Sequence, residues 1–376
     1  MYAIFIFFCR FFAKVINNSQ LSIVNSQLFC IFVIVKYEVT IGIPVYNVKD
    51  HIRATMDSAL AQTFESIEFL VLDDCGTDGS IAIVRDYQLT HPRGKDIRVV
   101  SQDFNKGIGA ARNRILKEAQ GRYLFFLDAD DLIIDSAVAA LVETAKRYEA
   151  EVVMASYERI ELFHDEPKTI PYQFPEMYFS SNEDFARYAF RQYGALQANI
   201  WNVLMDMNFI RSCHIQFVNT SFWEDMAFKY ELATYASRVV LSPLITYSYC
   251  CRVNTLSNFQ VRDEIKKEEI LHNVATIDTL KYSCRRLRDK SYFSAWLTFV
   301  LDTDFYIICE ILRQRKVIQP KVSDVEIRNF LHSPLSIKET LLRTNPKCWS
   351  YKLLSLVPAK ICVWVIYLLG KTRNLT

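Results

Sequence analysis

The sequence has no excess of one charge: 44 Lys and Arg stand against 42 Asp and Glu in 376 residues. Without a global field, nucleic acid and other polyanionic partners are excluded. Paired-ligand spacing is missing too. The ten cysteines include no Cys-x-x-Cys, and Cys250 and Cys251 are adjacent, which fits neither a zinc knuckle nor a simple disulfide framework and points to a reducing compartment. None of the six histidines (His51, His91, His164, His214, His272, His332) belongs to a His-x-x-x-His pair, so all are expected to be structural or exposed. The N-terminus lacks a span. Residues 1–12 are apolar and aromatic around Arg10, but they fall short of the ~20 residues that cross a bilayer. No small-residue cleavage site follows, which argues against a signal peptide. The echo of Asn18-Ser19-Gln20-Leu21 in Asn25-Ser26-Gln27-Leu28 stops at two copies, where a solenoid needs about three.

Hydrophobic residues are plentiful at 51%, with 20 Tyr and 26 Phe, a composition compatible with lipid contact. The length suits one large domain with an appendage, or two ordinary domains. Residues 1–36 are expected to be an extension outside the folded domain, arising from an upstream start codon. An anchor over 28–35 is the rival, although that stretch is far shorter than the ~20 residues of a span.

From Val39 onward the pattern is regular. Strands are expected over 39–45, 67–72, 97–100, 123–127 and 151–156, with helices over 50–62, 107–119 and 136–148, the β-α-β rhythm of a parallel sheet. The run Tyr123-Leu124-Phe125-Phe126-Leu127 ends abruptly in Asp128-Ala129-Asp130-Asp131. A short run of this kind is a strand buried on both faces, and open α/β sheets present ligands at the carboxyl ends of such strands. Asp128 and Asp130 can therefore bend toward one hard cation, magnesium or manganese. The first strand ends at Pro44-Val45-Tyr46-Asn47 and the second at Asp73-Asp74. Tyr46 offers a ring to a base, and Asp74 can accept a hydrogen bond from an imide N–H such as uracil's. Asp78 before Gly79-Ser80 is expected to cap the next helix. The stretch Gly107-Ile108-Gly109-Ala110-Ala111-Arg112 begins like a dinucleotide fingerprint, but Arg112 fills the third small position and six residues separate Gly107 from Val100, so a dehydrogenase is excluded.

Five segments in order resemble the family 2 glycosyltransferases of the GT-A fold: Val39–Asn47; Ser58-Ala59-Leu60-Ala61-Gln62-Thr63-Phe64; Leu72-Asp73-Asp74-Cys75-Gly76-Thr77-Asp78-Gly79-Ser80; Asn105-Lys106-Gly107-Ile108-Gly109-Ala110-Ala111-Arg112-Asn113; and Phe126-Leu127-Asp128-Ala129-Asp130-Asp131. The resemblance implies an α/β fold with a mostly parallel central sheet flanked by helices, and a helical C-terminal extension. It further implies a donor site in which Pro44, Tyr46 and Asp74, with Asp73 beside it, line the nucleoside pocket. Asp128 would approach the ribose or metal, Asp130 would hold the ion on the pyrophosphate, and Arg112 would fix the sugar or the carboxylate cluster. Cys75-Gly76 departs from the family's Gly-Ser in the turn.

Beyond Tyr157 lies a Pro-rich connection, then a helix over 181–193 with Ser181-x-x-Asp184 as a capping box. Asn199-Ile200-Trp201-Asn202-Val203-Leu204 resembles the family's W-x-K-L segment, with Val203 in place of Lys. Glu224-Asp225 open a helix expected to run to Tyr235, and on physics alone the macrodipole accounts for them as well as chemistry does. The resemblance to the family's E-D-x-x-F motif makes Asp225 the general base and Glu224 an orienting group. Tyr249-Cys250-Cys251-Arg252-Val253-Asn254-Thr255 resembles a lid segment in which Arg252 would meet phosphates and Cys250 replaces an Arg; a surface salt bridge is the alternative for Arg252.

The expected organisation is a catalytic domain over 37–258, with a nucleotide-binding half (37–157) and an acceptor half (158–258), followed by a helical region over 259–376. The last segment, 351–369, mixes apolar residues with Lys352, Lys360 and Pro358, and Lys371 follows. It suits an interfacial helix better than a span, with packing onto the catalytic domain as the alternative. The implied activity is inverting, metal-dependent transfer from a nucleotide-diphosphate sugar, UDP-linked, to a hydroxyl of a glycan or lipid-linked glycan in surface polysaccharide synthesis. Manganese or magnesium is the implied cofactor, and the implied location is cytoplasmic, peripheral on the inner membrane. A polyprenyl-phosphate sugar synthase and a non-catalytic nucleotide-sugar-binding protein are the alternatives.

Overall fold

A computed structural model describes residues 36–163, 166–191, 196–220, 223–252, 264–342, 345–373 and 375. The expectations for residues 1–35, and the motif positions Phe222, Val253, Asn254 and Thr255, lie outside that set.

The first half follows the expected rhythm. Strands β1 (Tyr37–Val45), β2 (Ile67–Asp73), β3 (Ile97–Ser101) and β4 (Gly121–Phe126) pair in parallel in the order β3-β2-β1-β4. β1 and β2 are almost wholly buried, which is why they appear in sequence as continuous apolar runs rather than alternations. Helix Ile52–Leu60 buries Ile52, Thr55, Met56, Ala59 and Leu60, and helix Ala137–Arg147 buries Ala137, Val138, Leu141, Val142 and Ala145. Both show the one-sided spacing of a helix laid on a sheet.

The second half is mixed. Strands β5 (Leu132–Ile133), β6 (Val152–Glu161), β7 (Lys168–Tyr172), β8 (Met177–Phe179), β9 (Val203–Asp206) and β10 (Val239–Cys251) complete a ten-stranded sheet, ordered β3-β2-β1-β4-β9-β6-β10-β5, with β7 on β6 and β8 on β10. β9 runs antiparallel to both β4 and β6, while β10 is parallel to β6. The Pro-rich connection thus holds two short strands, β7 and β8. Val203 opens β9 opposite Met154 and is buried there. The helix expected over 181–193 spans Asn182–Arg191, and Ser181 Oγ accepts from the Asp184 N–H at 3.2 Å.

One hydrophobic core lies on each side of the sheet. The core that includes Leu124, Phe126 and Met205 continues into the C-terminal helices through Trp296, Val300 and Ile366. Among the described residues no helix is long and apolar enough to cross a membrane.

Candidate active site

The parallel strands end along one rim, stitched by backbone hydrogen bonds. The Asp74 N–H donates to Val45 O at 3.0 Å, Leu127 N–H to Gly42 O at 3.1 Å and Gln102 N–H to Asp73 O at 2.9 Å. Beyond β1, Tyr46 is 49% exposed on the rim. Asn47 (φ 52°) and Cys75 (φ 61°) both adopt left-handed backbone, and the Asn47 side chain accepts from Thr77 N–H at 2.8 Å. Cys75 thus occupies a conformation that favours glycine, held by an Asx turn in which its N–H donates to Asp73 Oδ1 at 3.0 Å. Asp73 also accepts from Ser101 Oγ at 3.1 Å. Asp74 is buried and accepts from Gln102 Nε2 at 2.7 Å, Lys106 N–H at 2.9 Å and Gly107 N–H at 3.1 Å. Burial pushes its carboxyl up, while those hydrogen bonds oppose the shift. Asp78 accepts from Ser80 N–H (3.0 Å) and Lys49 N–H (2.7 Å), but it stands one residue before the cap: the N-cap of helix Ser80–Thr90 is Gly79, with no side-chain cap.

The turn after β4 is fastened from two directions. Thr55 Oγ1 lies 2.9 Å from both Ala129 O and Asp131 O. On the other side, the Tyr247 hydroxyl donates to Asp131 Oδ2 at 2.7 Å and accepts from Asp128 N–H at 3.2 Å, while Cys250 N–H donates to Asp131 Oδ1 at 2.8 Å. Asp131 is therefore a buried anchor. Its neighbours remain part-exposed, with side chains 25% (Asp128) and 28% (Asp130) accessible. Arg252 donates to Asp130 O at 2.7 Å, and its Nη1 stands 3.6 Å from the Asp130 carboxylate. Burial, then the nearby Asp128 charge, raises the Asp130 carboxyl to about 6, against the pull of Arg252. Each carboxylate stands beside a guanidinium, Asp128 at 2.9 Å from Arg112 and Asp130 at 3.6 Å from Arg252, and as oxygen donors the two could take a hard cation that retains other oxygen ligands. Among the described residues no group of three or more His, Cys, Asp or Glu converges on a point.

Arg112 joins this turn to the second half. Its buried guanidinium donates to Asp128 Oδ1 at 2.9 Å and to Glu224 Oε1 at 2.5 Å. The next residue, Asn113, exchanges two 2.8 Å hydrogen bonds with the backbone of Phe217, and at Gly109 a Cβ would fall 2.3 Å from Val218 O. Helix Ile108–Glu118 is thus locked against residues 217–218, which bring helix Glu224–Ala233 to the rim. Trp223, just before that helix, has φ 67°, a left-handed conformation costing roughly 1–2 kcal/mol of the sort that collects at functional sites. Burial raises the Glu224 carboxyl to about 7 and also raises Asp225, with Arg112 opposing both.

Asp128, Asp130, Arg112, Glu224, Asp225 and Arg252 are therefore linked in one cluster, while Pro44, Tyr46, Asp73 and Asp74 stand along the same rim. Sequence reasoning missed Thr55, Asp131, Tyr247 and the buried Lys229. The first three act through contacts between distant segments that no local pattern records. Lys229 did carry a signal, a cation one turn after Asp225 on the same helix. Cys250 is buried and supplies its backbone N–H to Asp131. Trp201 is buried between Tyr247, stacked at 4.4 Å, and Tyr157, edge-on at 4.7 Å.

Residues 40–198 match the family model described as glycosyl transferase family 2. The chain is 38% identical over 121 residues to UDP-Glc:alpha-D-GlcNAc-diphosphoundecaprenol beta-1,3-glucosyltransferase WfaP of Escherichia coli, covering 32% of this chain and 44% of that protein. It is 25% identical over 282 residues to the cholesterol galactosyltransferase of Borreliella burgdorferi, covering 73% of this chain and 77% of that protein. The chain spans less than half the length of WfaP and of the other relatives of similar identity. In fold it is similar to residues 1–349 of TarS from S. aureus, crystallised with UDP-GlcNAc, with a TM-score of 0.59 and 17% identity over 88% of this chain and 89% of that one. The fold is GT-A, with its helical C-terminal region, and within it residues 40–198 carry the similarity to glycosyl transferase family 2.

Proposed function

We propose that this protein transfers a sugar, with inversion, from a nucleotide-diphosphate sugar to a hydroxyl of a glycan or lipid-linked glycan. One observation carries the proposal: the Arg112 guanidinium bonds both Asp128 and Glu224, which ties the carboxylates at the end of β4 to the acids that open helix Glu224–Ala233. Tyr46 is the surface for the base, with Pro44, Asp73 and Asp74 shaping the nucleoside pocket. Asp130 and Asp128 are the residues to hold a divalent ion, manganese or magnesium; two carboxylates suffice where phosphate oxygens and water complete the sphere. When bound, that ion supplies Lewis-acid neutralisation of the diphosphate leaving group. Arg252, beside Asp130, adds positive charge on the same side. Asp225 takes the proton from the acceptor hydroxyl as its oxygen attacks the anomeric carbon from the face opposite the leaving group, and Glu224, fixed by Arg112, orients the base. A strong base at this place favours a hydroxyl acceptor over a phosphate, which needs none.

Both WfaP and the cholesterol galactosyltransferase are named for lipid or lipid-linked acceptors, which supports an acceptor presented at a membrane. Helices Pro346–Leu356 and Ala359–Thr372 expose Leu353, Leu356, Ile361, Trp364 and Leu368. Lys360 and Lys371 are exposed on the second of these helices and Lys352 is half-buried on the first, the composition of a surface that rests on anionic lipid, here the cytoplasmic face of the inner membrane.

A melting-temperature screen of UDP-, GDP- and dTDP-sugars tests the donor assignment, because a ligand that binds only the native state raises the transition. A UDP-sugar should raise it with manganese present and fail to do so in Asp130→Asn. No rise with any donor removes the proposal.

A further inference from the structure

Helix Glu224–Ala233 carries the two acids on its first turn, and residues beyond position 258 hold it at both ends and in the middle. At its far end the Glu231 carboxylate accepts from Ser283 Oγ at 2.8 Å and from Arg286 Nη2 at 2.6 Å, and the same nitrogen donates to Thr234 Oγ1 at 2.7 Å. In the middle the Tyr230 ring lies 4.1 Å from that of Phe299. These contacts fix the helix axis. The first turn has a hold of its own. Trp223 enters the helix with left-handed backbone, and its carbonyl accepts the first helical hydrogen bond, from Ala227 N–H at 3.1 Å. Its indole is stacked on Tyr306 of helix Phe293–Gln314, with centroids 5.9 Å apart and planes 23° from parallel, within the range of favourable aromatic pairs. Just ahead, the hydroxyls of Thr220 and Thr276 stand 3.3 Å apart. Glu224 is tied to Arg112. Among the described residues the Asp225 carboxylate accepts one hydrogen bond only, from its neighbour's Met226 N–H at 2.7 Å, so its aim follows the backbone of the first turn. A left-handed residue other than glycine persists where its surroundings hold it, and at Trp223 the Tyr306 ring is part of that hold.

We propose that Tyr306 is a positioning residue for the base: stacked on Trp223, it holds the left-handed entry of the helix and so aims Asp225. The helical C-terminal region is then a working part of the catalytic apparatus, and a boundary at 258 separates the base from the group that positions it. The inference rests on Asp225 being the base. Tyr46, Asp74, Asp128 and Asp130, the donor's residues, belong to the first half, so Tyr306 acts on the rate of the reaction and leaves donor binding alone. A displacement of about 1 Å in a reacting group can cost about 100-fold in rate. Both rings of the stack are part-exposed, which allows one to be trimmed without opening the core.

The test is release of nucleoside diphosphate from UDP-, GDP- and dTDP-hexoses with manganese, water serving as the acceptor, with kcat and KM measured for the donor consumed fastest. Tyr306→Leu removes the ring. Its kcat should fall by about tenfold or more, with the donor KM within about twofold of wild type. Tyr306→Phe keeps the ring and loses only the hydroxyl, so its kcat should stay within about twofold of wild type. Trp223→Leu removes the stack from its other side; it should show the same split between kcat and KM, and it decides if Tyr306→Leu does not fold. A wild-type kcat in a folded Leu variant, an equal fall in Tyr306→Phe, or a donor KM that rises in step with the fall overturns the inference and leaves the base reading intact. Failure of both Leu variants to fold overturns it too, since the stack would then hold the fold and not the base. Asp225→Asn, run alongside, should lose about 100- to 10,000-fold in rate. A wild-type rate in that variant, or no release by the native protein from any donor, removes the base reading and the Tyr306 inference with it.

Discussion

A guanidinium divided between two carboxylates on separate segments is hard to replace. Arg112 is planar, permanently charged and able to bond Asp128 and Glu224 at once. Lysine, with a single point of charge, cannot satisfy both. Removing a partner from a buried ion pair usually costs about 3–5 kcal/mol, because the remaining charge is left without compensation. Arg112→Met should therefore lower the urea-unfolding free energy by roughly that amount, discounted for the part-exposed Asp128. A stability within about 0.5 kcal/mol of wild type would show that Arg112 is not the tie between the halves. At this scale the sequence announces acids but not their duties. Asp128, Asp130, Glu224 and Asp225 are conspicuous because each stands where an apolar run or helix begins or ends. Asp131 closes the same run of acids, yet it is an anchor whose partner, Tyr247, lies 116 residues away. Asp74 was expected to face a base; its carboxylate accepts three hydrogen bonds from residues 102–107.

At the scale of elements, what was legible depended on burial. β1, β2 and β4 are covered on both faces and announce themselves as runs of Val, Ile, Leu and Phe. β7 is mostly exposed and contains Pro171, and β9 has only four residues; neither produces a period that stands out from a loop. β10 runs to thirteen residues, but its register with β6 shifts twice between Ser242 and Tyr247, around Pro243 and Leu244, and that irregularity breaks the pattern. The closing helices show the opposite behaviour: their apolar residues are visible in sequence, and several remain exposed after folding. Leu353, Trp364 and Ile361 belong to that exposed set, and burying such side chains in a lipid interface gains roughly 1.5–3 kcal/mol each. Replacing Leu353 and Trp364 together by Glu should abolish flotation of the full chain with phosphatidylglycerol vesicles and leave its melting temperature unchanged. Equal flotation of the variant and the wild type would count against these helices as the lipid-facing surface.

At the scale of the molecule, the two halves contribute unlike parts of one cluster of charged side chains. The parallel half supplies a rim of strand ends, where loops and carboxylates gather without disturbing the core. The mixed half supplies a helix whose first turn carries two acids, brought to the rim through the Arg112, Asn113 and Gly109 contacts. The C-terminal helices share the core beneath that second half, so the acids of helix Glu224–Ala233 and the exposed apolar face rest on the same packed foundation. In the proposed reaction the donor belongs to the first half and the acceptor to the second. The most direct measurement is anomalous diffraction at the manganese edge from crystals grown with UDP and manganese. The expected result is a peak within bonding distance of the Asp130 carboxylate, about 2.0–2.2 Å as for small hard cations on oxygen, with the diphosphate touching it and the base beside Tyr46. UDP ordered elsewhere, with no manganese on Asp130, would contradict it.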